Sequence, residues 1–430
     1  MKLAAVTFGS RGDVEPYAAL ARKLVAAGYE TRLTAQETFR DLAGDSGAQF
    51  VGVRGRSIQD LVDSPEGKEL VRNLRNPLAL ARQLGRLNDM LARELELIYT
   101  DVLAATEGVD AVLCSPATFP ALDVAAHLGL PVVQMHLIPL EPTSQFPAPV
   151  AYVNARTLTP LGNRLSYPFD ELLVWRLLKR AVEPVRARVL GRDPRSARAT
   201  LTQRRRRLGA LVGISPKVLP PPRDWSRDVV SCGYWWSSPR SSERGSLDDA
   251  TLRFLAGGPP PIFVSLGSMP IGDPPAVTAI LAAAARDADV RLILQRGWAG
   301  LGAGLEADHV HVVGEMPHGA IFDLVAAVAH HGGAGSTARG LRHGKPTLVM
   351  PVLADQFFWG RRMVELGVGP SPLPLRHLDR AGLARRLAAL ATPAFAQRAG
   401  ALAADLERED GGAVAAAALG RFLERRAYRP

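Results

Sequence analysis

The chain has 430 residues, 47% of them apolar and 22% charged, with a formal charge of +10. A single hydrophobic core stops growing at about 250–300 residues, so two domains are expected, and no window approaches the ~18 unbroken apolar residues of a membrane span. Cys114 and Cys232 stand far apart without a CxxC, which argues against a disulfide framework and against a zinc site.

Lys2 followed by the apolar run Leu3–Phe8 imitates the start of a secretory leader, but the run is too short and carries no small-residue cleavage site. A cytoplasmic protein is therefore expected. The run reads instead as a buried parallel strand. A polar loop follows over Gly9–Glu15, and Pro16 suits the first turn of a helix continued by Leu20, Leu24 and Ala27 and stopped at Gly28. Arg32–Ala35 and Phe50–Val53 read as the next strands. Asn76–Thr106 is helical, with Leu84, Leu87, Leu91, Leu95 and Ile98 on one stripe. Val109–Cys114, a helix near Ala121–His127 and Pro131–Gln134 repeat the alternation. Pro139–Pro149 reads as a loop, Leu172–Leu178 as helix, and Leu211–Ile214 as the last strand of this half. Four prolines in Pro216–Pro222 open a linker.

The alternation restarts at Ile262–Leu266. A helix over Pro275–Ala285, strands Arg291–Gln295 and His309–Val313, a helix over Ala320–Leu324 and the strand Val328–His331 follow. The loop Gly332–Gly335 then opens the helix Ser336–His343. Thr347–Met350 reads as a strand and Phe357–Leu366 as a helix, and the tail Ala413–Arg426 is helical. Two open parallel α/β sheets result, and such sheets bind ligands at the carboxyl ends of their strands.

Four loops carry candidate chemistry. In His330-His331-Gly332-Gly333-Ala334-Gly335-Ser336-Thr337, strand, glycine loop and helix start come in the order that presents backbone amides to an anion. The octapeptide is neither GxGxxG nor a P-loop, and adjacent histidines lack metal-ligand spacing. Asp355-Gln356, just past another strand, offers acceptors and two donors suited to sugar hydroxyls, or a helix cap. Asp13, in the first loop, suits a general base or a cap. Gly267-Ser268 follows the first strand of the second half. Between Lys179 and Arg207, eleven basic residues face only Glu183 and Asp193. That stretch reads as a solvated helical face, as a surface for anionic lipid or an acidic acceptor, or as a nucleic-acid site. The last finds no support from aromatic interleaving or a reader motif.

In this order the motifs resemble the GT-B glycosyltransferases of the UDP/TDP-sugar-dependent family 1 type. The likeness is greatest to the bacterial glycopeptide-antibiotic and sterol-glucosyltransferase-like branch. It is strongest over 3–28 and 262–369 and weakest over 55–210. The resemblance implies two Rossmann-like, doubly wound parallel-sheet domains facing a central cleft. These would be an acceptor-binding domain over 1–215, a linker over 216–246, a nucleotide-sugar domain over 247–412 and a C-terminal helix over 413–430.

By the same resemblance, His331 contacts the donor pyrophosphate together with Gly333, Gly335, Ser336 and Thr337, while Asp355 and Gln356 hold the transferred sugar. Asp13 is the general base, and Ser10, Arg11 and Gly12 share its loop beside the donor. Gly267 and Ser268 lie near the phosphates, Arg296 and Trp298 mark a segment close to the donor, and backbone at Met316 contacts the base. His136 is the second choice for a base and an acceptor contact. Two positions depart from plant members: no tryptophan stands near Glu315-Met316-Pro317, and Arg339 replaces a ribose-binding glutamate. Expected partners are a UDP- or TDP-sugar co-substrate and a hydroxyl acceptor (a secondary metabolite, sterol or lipid), with no cofactor, metal or nucleic acid, and the expected reaction is inverting. A sugar-nucleotide epimerase and a catalytically silent partner protein are the alternatives.

Overall fold

A computed structural model describes residues 1–44, 46–55, 77–149, 158–191, 207–237, 247–267, 269, 271–297, 300–316 and 318–427. The first half runs β1 (Lys2–Val6), α1 (Arg11–Ala26), β2 (Glu30–Gln36), α2 (Arg40–Gly44), β3 (Gln49–Val53), α3 (Pro77–Ala105), β4 (Ala111–Cys114), α4 (Phe119–Leu128), β5 (Val132–His136), α5 (Pro160–Leu190), β6 (Gly209–Val212) and β7 (Val229–Ser231). The second runs α6 (Asp249–Ala256), β8 (Ile262–Ser265), α7 (Pro274–Asp287), β9 (Leu292–Gln295), β10 (Val310–Val313), α8 (His318–Ile321), β11 (Ala327–His330), α9 (Ala334–Arg342), β12 (Thr347–Val349) and α10 (Gln356–Leu366). Three helices close the chain: α11 (Arg380–Ala389), α12 (Pro393–Glu407) and α13 (Gly411–Ala427).

Every residue of β4, β5, β6, β8, β9 and β11 is buried, as expected for parallel strands covered by helices on both faces. The first sheet has the order β3-β2-β1-β4-β5-β6-β7 and the second β10-β9-β8-β11-β12, with every pairing parallel. This is the doubly wound α/β arrangement read from the alternation. In both sheets the winding reverses beside the first strand, between β1 and β4 and between β8 and β11. The crevices at the carboxyl ends of those pairs are where such sheets hold ligands.

One sequence reading changes in three dimensions. Leu211–Ile214 is not the last strand: Val229–Ser231, within the expected linker, pairs with β6 as the edge strand. Its signal is only three residues long and follows a proline-rich run, so local pattern conceals it. Trp235 from the same stretch packs on Gly213, where a β-carbon would lie 3.1 Å from the indole. The helical tail returns to the first half, with Leu419 and Phe422 in the core beside Leu20 and Leu24. A separate apolar cluster joins Val212, Ile214 and Tyr234 to Leu341, Phe358 and Trp359, so the two halves share a packed contact below the cleft.

Of the basic stretch, Lys179–Leu190 lies on α5, while 192–206 lie outside the described residues. Among the described residues no helix is long and apolar enough to cross a membrane, and no group of His, Cys, Asp and Glu is placed to hold a metal ion.

Candidate active site

The loops singled out in the sequence leave the two crevices and meet. β11 ends at His330, in register with Ser265 of β8. The turn that follows requires Gly332: its φ is +95°, and a β-carbon there would sit 2.5 Å from Val349 Cγ1 and 3.0 Å from the Gln356 carbonyl. Gly333 then caps α9, which starts at Ala334, two residues before the expected start at Ser336. That shift reassigns the anion-facing amides. Thr337 donates its amide to the Gly333 carbonyl at 2.9 Å, so Ala334, Gly335 and Ser336 carry the unspent amides of the first turn. Thr337 is fully buried, and its hydroxyl finds no hydrogen-bond partner among the described residues.

The His331 ring lies against this helix start. A β-carbon at Gly333 would be 2.5 Å from His331 Nε2, and one at Gly267 would be 2.9 Å from its Cε1, so both glycines make room for the imidazole. Nδ1 is buried without a hydrogen-bond partner among the described residues. Desolvation pushes the ring's pKa down to about 4, so His331 is neutral at pH 7 and offers a donor rather than a charge. His330 is tied inward instead, its Nδ1 accepting the Gly332 amide at 2.9 Å.

Asp355 precedes α10 but makes no side-chain cap, so the capping alternative fails. Its Oδ2 accepts Trp359 Nε1 at 3.0 Å. Burial lifts its pKa to about 6; the Trp359 bond works against this and the Asp13 charge reinforces it. Gln356 is buried and turned back on its own loop. Its Oε1 accepts the Val352 and Leu353 amides at 2.8 and 3.1 Å, and its Nε2 donates to Met269 Sδ at 3.0 Å. Ala354 supports this loop in the left-handed region at φ +52°, unusual for a residue with a β-carbon.

From the other half, Asp13 enters in the first turn of α1. Its Oδ2 accepts the Ser10 amide at 2.8 Å and the Ser10 hydroxyl at 2.9 Å, closing a capping box. Oδ1 accepts no hydrogen bond among the described residues and is left for a ligand. Desolvation raises the Asp13 pKa, opposed by the Ser10 bonds. The helix starts of α1 and α9 nearly touch: a β-carbon on Gly335 would lie 3.5 Å from the Gly12 Cα.

The remaining predicted residues divide. Ser10 and Gly12 lie at the start of α1, Gly333 and Gly335 at the start of α9, and Gly267 in the loop after β8. Arg11 is exposed and pairs with Glu15 at 3.2 Å. Arg296 is exposed one residue past β9, and Met316 packs against the core around Phe263 and Phe322. Ser268 and Trp298 lie outside the described residues. His136 is 1% exposed, its Nε2 is 2.8 Å from Glu141 Oε1, and Glu141 accepts Arg207 Nη2 at 2.6 Å. As the last residue of β5 it points into this buried network. The sequence reading missed Glu15, whose carboxylate ion-pairs with Arg339 across the halves. No local signal marks that pair, because its members are 324 positions apart.

Residues 3–114 match the glycosyltransferase family 28 N-terminal domain, and residues 279–429 match the erythromycin biosynthesis protein CIII-like C-terminal domain. A sterol 3-beta-glucosyltransferase of Arabidopsis thaliana is 32% identical over 98% of this chain and 68% of its own length. The O-mycaminosyltylonolide 6-deoxyallosyltransferase of Streptomyces fradiae is 34% identical over 96% of this chain and 95% of its own. Among solved structures, the glycosyltransferase VinC in complex with dTDP superposes with a TM-score of 0.60 at 18% identity, covering 99% of this chain and 100% of that one.

Proposed function

The chain belongs to the GT-B nucleotide-sugar glycosyltransferases related to the antibiotic and sterol-glucosyltransferase families, and we propose that it transfers a hexose or deoxyhexose from a UDP- or TDP-sugar to an acceptor hydroxyl with inversion. The acceptor, a secondary metabolite, sterol-like molecule or lipid, binds the first half and the donor the second. One observation carries this reading: the unpartnered Asp13 Oδ1 and the start of α9 with His331 face one crevice from opposite halves. Asp13 takes the proton of the acceptor hydroxyl as its oxygen attacks the anomeric carbon from the face opposite the leaving diphosphate. The diphosphate gathers charge as its bond breaks, and the amides of Ala334, Gly335 and Ser336 with the His331 donor meet that charge where it develops.

Asp355 addresses sugar hydroxyls through the carboxylate oxygen not held by Trp359. Gln356 supports the same loop through its bonds to Val352 and Leu353, and its Nε2 reaches the sugar only by leaving Met269. The dTDP held by VinC supports a TDP-sugar donor for this chain beside UDP. Cys114 and Cys232 are free and buried, which suits a cytoplasmic setting.

The test has two parts. Thermal unfolding with UDP, TDP, GDP and NAD at matched concentration should shift with UDP or TDP alone; a ligand at a hundredfold its Kd stabilises by about 2.7 kcal/mol. Transfer to a panel of hydroxyl acceptors should then be lost in Asp13→Asn while the nucleotide shift persists. Undiminished transfer by Asp13→Asn, or retention of anomeric configuration in the product, rules out the mechanism.

A further inference from the structure

The helix α5 has a face that neither core claims. It runs for 31 residues, or about 46 Å, far longer than the strands it crosses. Ala181, Val182, Val185 and Leu190 in its C-terminal half are buried against the first sheet. In its N-terminal half, Asn163 and Ser166 bond the backbone of Ser144 and Ala148 in the loop leaving β5. The opposite side exposes Leu161 (67%), Leu165 (57%), Phe169 (63%) and Leu173 (48%). Steps of four residues keep these four within an arc of about 120°, one above the next. The same arc continues with Arg176, Lys179 and Arg180, all exposed. Of the three acidic residues of the helix, all half-buried, Asp170 and Glu171 fall off the arc, and Glu183 lies on it one turn past Lys179. Four large apolar side chains in water followed by a basic collar form the pattern of a helix that lies in a membrane interface.

We propose that this face of α5 docks on an anionic lipid surface, with Leu161, Leu165, Phe169 and Leu173 entering the headgroup–acyl boundary and the basic collar pairing with lipid phosphates. Charge complementarity selects this occupant over a neutral apolar partner. The collar opens the stretch from Lys179 to Arg207, in which eleven basic residues meet two acidic ones and which holds most of the chain's excess of positive charge. Position supports it too. α5 begins after the loop leaving the carboxyl end of β5, so its apolar half lies at the ligand-binding edge of the first sheet. A lipid-borne hydroxyl would reach the crevice from that side, a consequence that rests on the acceptor reading above, although the docking itself does not.

The experiment is sedimentation of the full chain with phosphatidylcholine vesicles containing 30% phosphatidylglycerol, against pure phosphatidylcholine, at low and high salt. Wild type should pellet with the anionic vesicles at low salt and release as salt rises. Leu165→Glu/Phe169→Glu should abolish pelleting. Arg176→Glu/Lys179→Glu/Arg180→Glu should weaken it on the order of a hundredfold, at about fivefold or more for each basic residue lost. Every substituted residue is exposed, and the melting shift given by TDP or UDP, measured on the same samples, reports an intact fold and donor site. Wild type that stays in the supernatant, or a Leu165→Glu/Phe169→Glu protein that pellets as wild type does, overturns the proposal. Binding is read without turnover, so a failure of the transferase reading leaves this result separately visible.

Discussion

His331→Ala tests the central inference about the donor site. Burial holds the ring's pKa near 4, so about one molecule in a thousand carries the imidazolium at pH 7. The residue therefore acts as one neutral donor beside the three unspent amides of α9. A hydrogen bond to a charged group is worth about 1.5–3 kcal/mol, and loss of one donor to a developing anion costs about 2.7–4 kcal/mol of barrier. Turnover should fall by about 10²–10³, while Ala334, Gly335 and Ser336 retain part of the donor affinity. Stability should hardly move: the ring's contacts with Gly267 and Gly333 are lost, but a buried Nδ1 without a partner goes with them. The net change should stay within about 1 kcal/mol. Initial rates against donor concentration, with a melting curve on the same samples, measure all of these quantities. kcat/KM reports the free enzyme. A neutral His331 predicts no fall in kcat/KM between pH 6 and 8, whereas an essential imidazolium would lower it tenfold per unit throughout that range. Such a fall, or wild-type turnover in His331→Ala, would refute the assignment.

Asp355→Asn should be more stable than wild type at pH 7 and inactive. The folded pKa of Asp355, about 6, lies above the usual 3.8, so its contribution is favourable below about pH 4 and is lost as pH rises through 6. The gap in unfolding free energy should open over that window to at most about 3 kcal/mol, which urea titrations at pH 4 and pH 7 would measure. Because Asp13 and Asp355 are both raised and both act ionised, wild-type kcat/KM should drop as pH falls below about 6; a pH–rate profile flat to pH 4.5 contradicts this. Gly333→Ala should mimic His331→Ala, since its β-carbon would fall 2.5 Å from Nε2 and push the ring from the helix start. Unchanged donor KM and kcat in that variant would show that the ring's position is immaterial. Glu141→Ala should remove the carboxylate of Arg207, leaving only the Gln134 oxygen beside the guanidinium, and cost about 3–5 kcal/mol, read as a drop in the unfolding midpoint. A neutral outcome would mean that the network around His136 is not structural.

Local chemistry in the sequence was enough to locate the parallel strands other than β7, the helices between them and the glycine loop after β11. Leu3–Phe8 and Ile262–Leu266 are mainly apolar runs and Val328–His331 begins as one, each followed directly by a glycine, and period and punctuation are properties of neighbouring residues. The resemblance named His331, Asp355 and Asp13 for the same reason, since each stands at a fixed offset from a strand end. Properties that depend on distant partners were beyond it. Edge pairing of a three-residue strand has no local mark, so Val229–Ser231 reads as linker until β6 supplies its partner. The buried network joining His136, Glu141 and Arg207 has no local mark either, since Arg207 stands 66 positions from Glu141. The Glu15–Arg339 pair and the charge of Asp13 felt at Asp355 exist only once two sheets face each other. Burial and electrostatics depend on where atoms end up in space, and for groups hundreds of residues apart only the tertiary structure brings them within range of one another.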